Sequence, residues 1–267
     1  MQSEYFIFNG INSEDMGLYI IRMDTGFITN PFIGSKSLNQ AVRPGRVKAS
    51  REGLTREVIE FDLQMVLLDD YGKLKEWTPE ERMRIARWLF QDEYAAFQTE
   101  DDLGKIYYGM FTNEQNLFTM NNTGYLELHF VTNSHTAWSP VIDHAFDFWN
   151  NDAGGRIITI ENLSNISKNY EPKIEIEMKH EVGESNLEFK LINLSNDNKE
   201  FIFTGLRRDE IISVDNENRI ILSSYSAHIN PYGSFNKNWL ELVYGENQLQ
   251  IFGKCAINIQ CQFPIMR

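Results

Sequence analysis

The chain has 267 residues, with 38 Asp and Glu against 25 Lys and Arg, a formal net charge of −13 at neutral pH. Hydrophobic residues make up 42% and aromatics 13%, enough apolar surface for packed cores, which excludes disorder as the main state. The acidic excess is shared by both halves, so neither is the clustered basic surface that gripping a phosphate backbone requires, and tight nucleic-acid binding is disfavoured.

No apolar run approaches the roughly 18 residues of a membrane-spanning helix. The opening stretch, MQSEYFIFNG, has neither the basic start nor the long apolar core of a secretory signal. The chain therefore reads as a soluble, acidic protein made in the cytosol, with no membrane partner. Two cysteines are too few for a disulfide scaffold. At roughly 150 residues per domain the length suggests two domains.

Taken in chain order, Tyr5-Phe6-Ile7-Phe8 closed by Asn9-Gly10 predicts a first strand. A second follows at 18–21, after a turn in which Gly17 supplies a permissive backbone position. Residues 34–56 are different. Large apolar residues are sparse there, and Lys36, Arg43, Arg46, Lys48, Arg51 and Arg56 stand against one acid, Glu52. With Arg43-Pro44-Gly45-Arg46 as a turn, the stretch reads as an extended arm or hairpin leaving the core, or as a solvated loop. A basic arm on an acidic protein would find its complement on the acidic face of a neighbouring copy.

Alternation over 57–68 sets Ile59, Phe61, Leu63 and Met65 on one side of a strand. Thr78-Pro79-Glu80-Glu81 then starts a helix: Thr78 caps, Pro79 fits the first position and Glu81 completes the capping box. This is the one strong helix signal, expected to reach Leu89 or Phe90 with Met83, Ile85, Ala86, Leu89 and Phe90 inward. Strands follow at 94–97, 105–111 and 124–131. The pattern breaks over 133–140 and again at Asp152-Ala153-Gly154-Gly155, which divides the chain into domains 1–140 and 141–267. From 156 onward nine short strands are expected, at 157–161, 173–179, 187–194, 200–204, 210–214, 219–223, 239–244, 248–253 and 256–263. Short strands without helices imply an antiparallel sandwich or jelly roll.

Catalytic motifs are missing from the sequence. It has no phosphate-cradling glycine loop, no nucleophile elbow and no zinc-binding His-Glu-x-x-His helix. The five histidines form no metal-spaced pair, so neither cofactor nor metal is expected. Cys255 and Cys261, on one extended strand, would lie about 20 Å apart, too far to bridge. Glu175, Glu177 and Glu188 raise a paired-carboxylate glycosidase reading, but alternation with Ile174, Ile176 and Met178 makes Glu175 and Glu177 the wet face of a sheet.

The order of these features resembles that of the distal tail proteins of long-tailed bacteriophages, the siphovirus-type tail component family. The residues that carry the resemblance are Phe6-Ile7-Phe8-Asn9-Gly10-Ile11, Asp15-Met16-Gly17-Leu18, Arg43-Pro44-Gly45 and the strand around Phe61. They continue with the helix holding Arg84 and Trp88-Leu89, the strand 124–130 and Ala137-Trp138-Ser139-Pro140. Ile160-Glu161-Asn162, Glu171-Pro172-Lys173-Ile174-Glu175-Ile176 and Gly245-Glu246-Asn247-Gln248-Leu249-Gln250-Ile251 carry it through the second half. Two positions depart from the pattern: a glycine is missing at Asn162-Leu163-Ser164, and Tyr244 replaces a proline before Gly245.

The resemblance implies a mainly β protein. A sandwich- or barrel-like N-terminal domain with one helix and an extended arm would build a hexameric ring, and a galectin-like antiparallel β-sandwich would follow at 141–267. It implies a homo-oligomeric hub in the virion tail, made in the host cytoplasm. Its partners would be the tail tube protein, a tail-tip or tail-associated lysin protein and a receptor-binding protein, with DNA passing through the channel ungripped. No enzyme is implied. Contacts between copies are expected from Phe6, Phe8, Arg43, Arg46, Lys48, Arg51 and Trp88. A lectin-like alternative rests on His228, Asn230, Trp239 and Glu241, similar to the polar groups beside a stacking Trp in galectins. There Tyr232 replaces the expected arginine and Trp239 follows the histidine too soon, so the assembly reading ranks first.

Overall fold

The computed structural model describes residues 4–24, 36–42, 45, 47–179, 185–228 and 230–266. The fold is mainly β, with one α-helix among the described residues. The chain divides into two compact units, one of residues 1–139 with 265–267, the other of residues 140–264.

The first unit holds β1 (Phe6–Phe8), β2 (Ile11–Asn12), β3 (Leu18–Asp24), β4 (Lys36–Ala41), β5 (Ser50–Arg56), β6 (Glu60–Leu67), α1 (Pro79–Leu89), β7 (Ala95–Thr99), β8 (Asp102–Met120), β9 (Thr123–Thr132) and β10 (Ala137–Trp138). Its main sheet runs in the order β2-β1-β7-β8-β9-β6-β3, while β4 and β5 form a separate two-stranded sheet. In β6 the expected alternation holds: Phe61, Leu63, Met65 and Leu67 are buried. The β8–β9 hairpin closes on Asn121-Asn122, both at positive φ, the backbone of a two-residue type I′ turn and one that asparagine tolerates. Thr78 caps α1 by accepting the Glu81 N–H at 3.3 Å, with Pro79 in the first turn.

A cluster of rings forms the core beneath the helix. Phe6 stacks on Trp88 with centroids 5.6 Å apart, and Phe8, Phe61, Phe97, Phe111 and Phe130 interlock around them. On α1 the buried residues are Ile85, Trp88 and Leu89. Met83 and Phe90, expected inward, are 71% and 56% exposed. Met83 lies two residues, about 200° of helical turn, from Ile85 and so on the far face. Phe90 is the C-cap, its N–H bonded to the Ala86 carbonyl, outside the helix whose periodicity suggested its direction.

The second unit is an antiparallel sandwich. Its strands are β11 (Ile142–Asp147), β12 (Arg156–Asn162), β13 (Lys173–Met178), β14 (Ser185–Asn193), β15 (Lys199–Arg207), β16 (Ile211–Asp215), β17 (Ile220–Ser223), β18 (Gly245–Phe252) and β19 (Cys255–Cys261). One sheet is ordered β11-β19-β13-β16-β17 and the other β12-β18-β14-β15. Inward positions on alternate residues fill the space between them: Ile174, Ile176 and Met178 from β13, Cys255, Ile257, Ile259 and Cys261 from β19, and a Phe189, Phe201, Phe203 and Phe235 cluster at one end.

One expected strand is replaced and another is added. Residues 239–244 alternate but are not a strand, because buried asparagines take up their backbone groups. Asn216 accepts the Leu240 N–H at 2.8 Å, Asn193 donates to the Glu241 carbonyl at 2.8 Å, and Asn247 bonds both the N–H and the C=O of Val243. The added strand is β11, which pairs with β19 along its whole length and lies between the two breaks in the pattern, where no strand was expected.

Candidate interaction surfaces

The basic arm is a real hairpin, with Leu38 opposite Leu54 and a register shift between Asn39 and Gln40. Its strands pair only with each other among the described residues. Leu38, Val42 and Leu54 are exposed, and Val47 is fully so. At its base the Arg56 guanidinium lies 2.7 Å from the His135 imidazole. A free-standing two-stranded hairpin is marginal in water, and one with its apolar side chains uncovered gains most from a partner. Lys48 and Arg51 are exposed on it, while Arg43 and Arg46 lie outside the described residues.

The aromatic residues expected at a contact between copies are corrected by the structure. Phe6 and Phe8 are 0% exposed and Trp88 is 5% exposed. Their rings fill the unit's own core, and the Trp88 indole N–H is spent on the Phe8 carbonyl at 3.0 Å. They hold the surface in place rather than form it. What they leave outside is an apolar groove of about 180 Å³ between α1 and the β8–β9 hairpin, lined by Trp77, Arg82, Ile85, Ala86, Leu89, Phe90, Leu117 and Leu126. The sequence signal for it was the exposed Phe90, misread as core.

A second surface of the first unit is acidic. Tyr19 donates to Glu14 at 3.3 Å, and its hydroxyl pKa is raised by burial first, then by the carboxylates of Glu14, Asp70 and Glu4. At the start of α1 the Glu81 carboxylate is held below its usual range by the Lys75 ammonium at 2.5 Å, against burial, with Arg84 at 2.6 Å assisting. Arg84 also donates to the Met16 carbonyl at 3.0 Å, tying the helix to the turn before β3.

In the second unit the lectin-like residues are occupied separately. The His228 Nδ1 lies 2.6 Å from Glu210 and Nε2 2.9 Å from the Ser234 hydroxyl. Glu210 is buried and also accepts from Ser223 and the Arg207 N–H, so it ties His228 to the end of β17. Trp239 packs edge-on to Phe235 and lies beneath the Arg219 guanidinium, 5.1 Å from its ring centre. Burial alone would raise the Glu241 carboxyl, but bonds from Lys199 and Asn169 bring it below its usual value. Asn230 is exposed and caps no neighbour with its side chain. His228 and Glu241 share no partner among these bonds, and the galectin-type sugar site is not assembled.

Glu175 and Glu177 lie on the outer face of the five-stranded sheet, beside two hollows of about 380 and 340 Å³ that share Glu175 and Asn258. They are the solvated face the alternation required. Among the described residues no group of three or more His, Cys, Asp or Glu is placed to hold a metal, and no helix is long and apolar enough to cross a membrane.

Comparison with known proteins finds two family matches. Residues 1–134 match the phage tail protein N-terminal domain and residues 136–261 the phage tail C-terminal domain. Among curated proteins, the SPbeta prophage-derived uncharacterized protein YomH of Bacillus subtilis (strain 168) is 24% identical over 266 residues, covering 99% of both chains. Among solved structures, the SPP1 Dit (gp 19.1) protein, described as a paradigm of the hub adsorption apparatus in Gram-positive infecting phages, aligns with a TM-score of 0.65 at 12% identity. That match covers 97% of this chain and 98% of the other. A chain of the phage P2 baseplate in its activated, calcium-bound conformation aligns with a TM-score of 0.50 at 7% identity, over 97% and 98% of the two chains. At these identities the structural likenesses speak for the fold.

Proposed function

The chain belongs to the phage tail protein family, over both its N-terminal and its C-terminal domains, and from that premise we propose that it is the ring-forming hub at the distal end of the tail. It is a structural tail component and not an enzyme. In the proposed assembly six copies close a ring through their first units, each presenting one patch to a different patch on the next copy. The ring joins the tail tube to the tail tip, and the galectin-like second units project as mounts for receptor-binding components.

The observation that carries this reading is the alignment of nearly the whole chain, both units in order, with a hub adsorption protein. The exposed basic hairpin supports it, as a hook seeking a partner. The carboxylates around Tyr19 offer a surface of opposite sign on the neighbouring copy. Light scattering on the purified full chain, with negative-stain microscopy, tests it. The expected result is a species of six copies and a ring in projection. A monomer at high concentration, alone and with its tail partners, would overturn it.

A further inference from the structure

The second unit has four sheet edges, and it treats them unequally. Segment 231–236 closes two. On β17 the Ile221 N–H donates to the Tyr232 hydroxyl at 3.2 Å, and that hydroxyl donates to the Arg219 carbonyl at 3.0 Å, so one side chain satisfies two edge groups. On β15 the Asn236 N–H and side-chain amide bond the Ile202 and Glu200 carbonyls at 3.1 and 2.8 Å, and Phe235 forms a bridge with Phe203. A third edge, β11, carries Asp143, His144 and Asp147 among six residues, the charge that discourages edge pairing.

The fourth edge, β12, is less protected: its two charges, Arg156 and Glu161, lie toward its ends. Its sequence, Arg156-Ile157-Ile158-Thr159-Ile160-Glu161-Asn162, holds three isoleucines and a threonine, the residues that suit a strand best. All seven residues pair with β18 without a register shift. Its other side pairs with no strand among the described residues. Ile157 is 56% exposed on it, and Leu163 and Tyr244, which flank its Asn162–Gly245 end, are exposed too. A bulge-free edge whose centre is three isoleucines and a threonine is a template for another strand.

We propose that this edge pairs with the same strand of a second copy, antiparallel about a two-fold axis through Thr159, joining two four-stranded sheets into one continuous sheet. The strand's own sequence selects that occupant. The register that overlaps all seven residues sets Thr159 against Thr159, Ile158 against Ile160, Ile157 against Glu161 and Arg156 against Asn162. Core-facing positions then meet core-facing positions, and no like charges are opposed. A slip of one residue would set the buried face of one copy against the wet face of the other. The pairing uses the second unit alone and stands apart from ring closure by the first.

Cysteine cross-linking in the full chain tests it. Cys255 and Cys261 are buried, so an exposed cysteine at 159 is the one that reacts. Thr159→Cys, oxidised with glutathione disulfide, is expected to give a covalent dimer on a non-reducing gel. Ile157→Cys is expected to stay single, because its two copies would lie about 13 Å apart along the strands, beyond disulfide reach. A charge swap provides the second arm. Thr159→Lys and Thr159→Glu should each weaken pairing about five-fold by opposing like charges, and an equimolar mixture should restore it. A six-copy ring that persists in Thr159→Lys separates this contact from the ring contact. Cross-linking no faster at 159 than at 157, or no rescue in the mixture, would overturn the proposal. So would a protein that shows no pairing through this edge in any form, which would leave the edge to a strand of another protein.

Discussion

Cys255 and Cys261 lie six residues apart on the inward face of β19, both fully buried, and neither is bonded to the other. Burial pushes each thiol up to about 12, with Asp147 adding to the first and Asp143 to the second. Tyr170 is likewise pushed up to about 12, by burial, although the Gln262 N–H donated to its oxygen at 2.8 Å works the other way. These groups keep their protons in the folded state and give them up more readily when unfolded. Their contribution is therefore intact below about pH 9, where an unfolded thiol remains protonated, and is lost as the pH climbs toward 12. The expected outcome is a melting temperature that falls steadily above pH 9, read by circular dichroism. Ellman's reagent at pH 8 should find no reactive thiol in the native protein and two after denaturation. Rapid native labelling would contradict the burial.

At the level of elements, the structure followed the sequence wherever local chemistry set the outcome. Thr78 and Pro79 make a helix start, although the expected capping box is only half formed, because the Glu81 carboxylate bonds Lys75 and Arg84 while the Thr78 N–H bonds the Glu76 carbonyl. The alternation of β6, β13 and β19 survives because one face of each strand is buried. The misreadings arose where distant residues intervene. Residues 239–244 have strand periodicity, yet Asn193, Asn216 and Asn247 claim their backbone groups from far along the chain or from the next turn. Trp88 and the first-strand phenylalanines were assigned to a contact between copies because their hydrophobicity is visible in the sequence and their packing on one another is not. The basic arm was legible because charge and missing apolar residues are local properties, although Arg43 and Arg46 lie outside the described residues. Its role is checked with Lys48→Glu combined with Arg51→Glu. Both side chains are exposed, so the circular dichroism spectrum should not change. Assembly by light scattering should fall at least several-fold and should already weaken in wild type as salt rises. An unaltered assembly mass would remove the arm from the ring contact.

For the whole molecule, the deciding quantity is the charge of −13. If the proposed ring encloses a DNA channel, as the family resemblance implies, it must let a polyanion slide past, and counterion release rewards every cationic contact along its wall. An acidic ring minimises that reward. The arm is the one segment that works against it, since its basic residues are nearly unopposed within 34–56. If those side chains are spent on a neighbouring copy's carboxylates, they are withdrawn from DNA by the same contact that closes the ring. The assembled protein is therefore expected to show no binding to double-stranded DNA tighter than about 10⁻⁴ M at physiological salt, the weak end of non-specific affinity, measured by fluorescence anisotropy. At low salt any residual binding should belong to unassembled chains and vanish in the Lys48→Glu, Arg51→Glu variant. Micromolar binding by the ring at physiological salt would mean that the arm faces the channel rather than a sister copy.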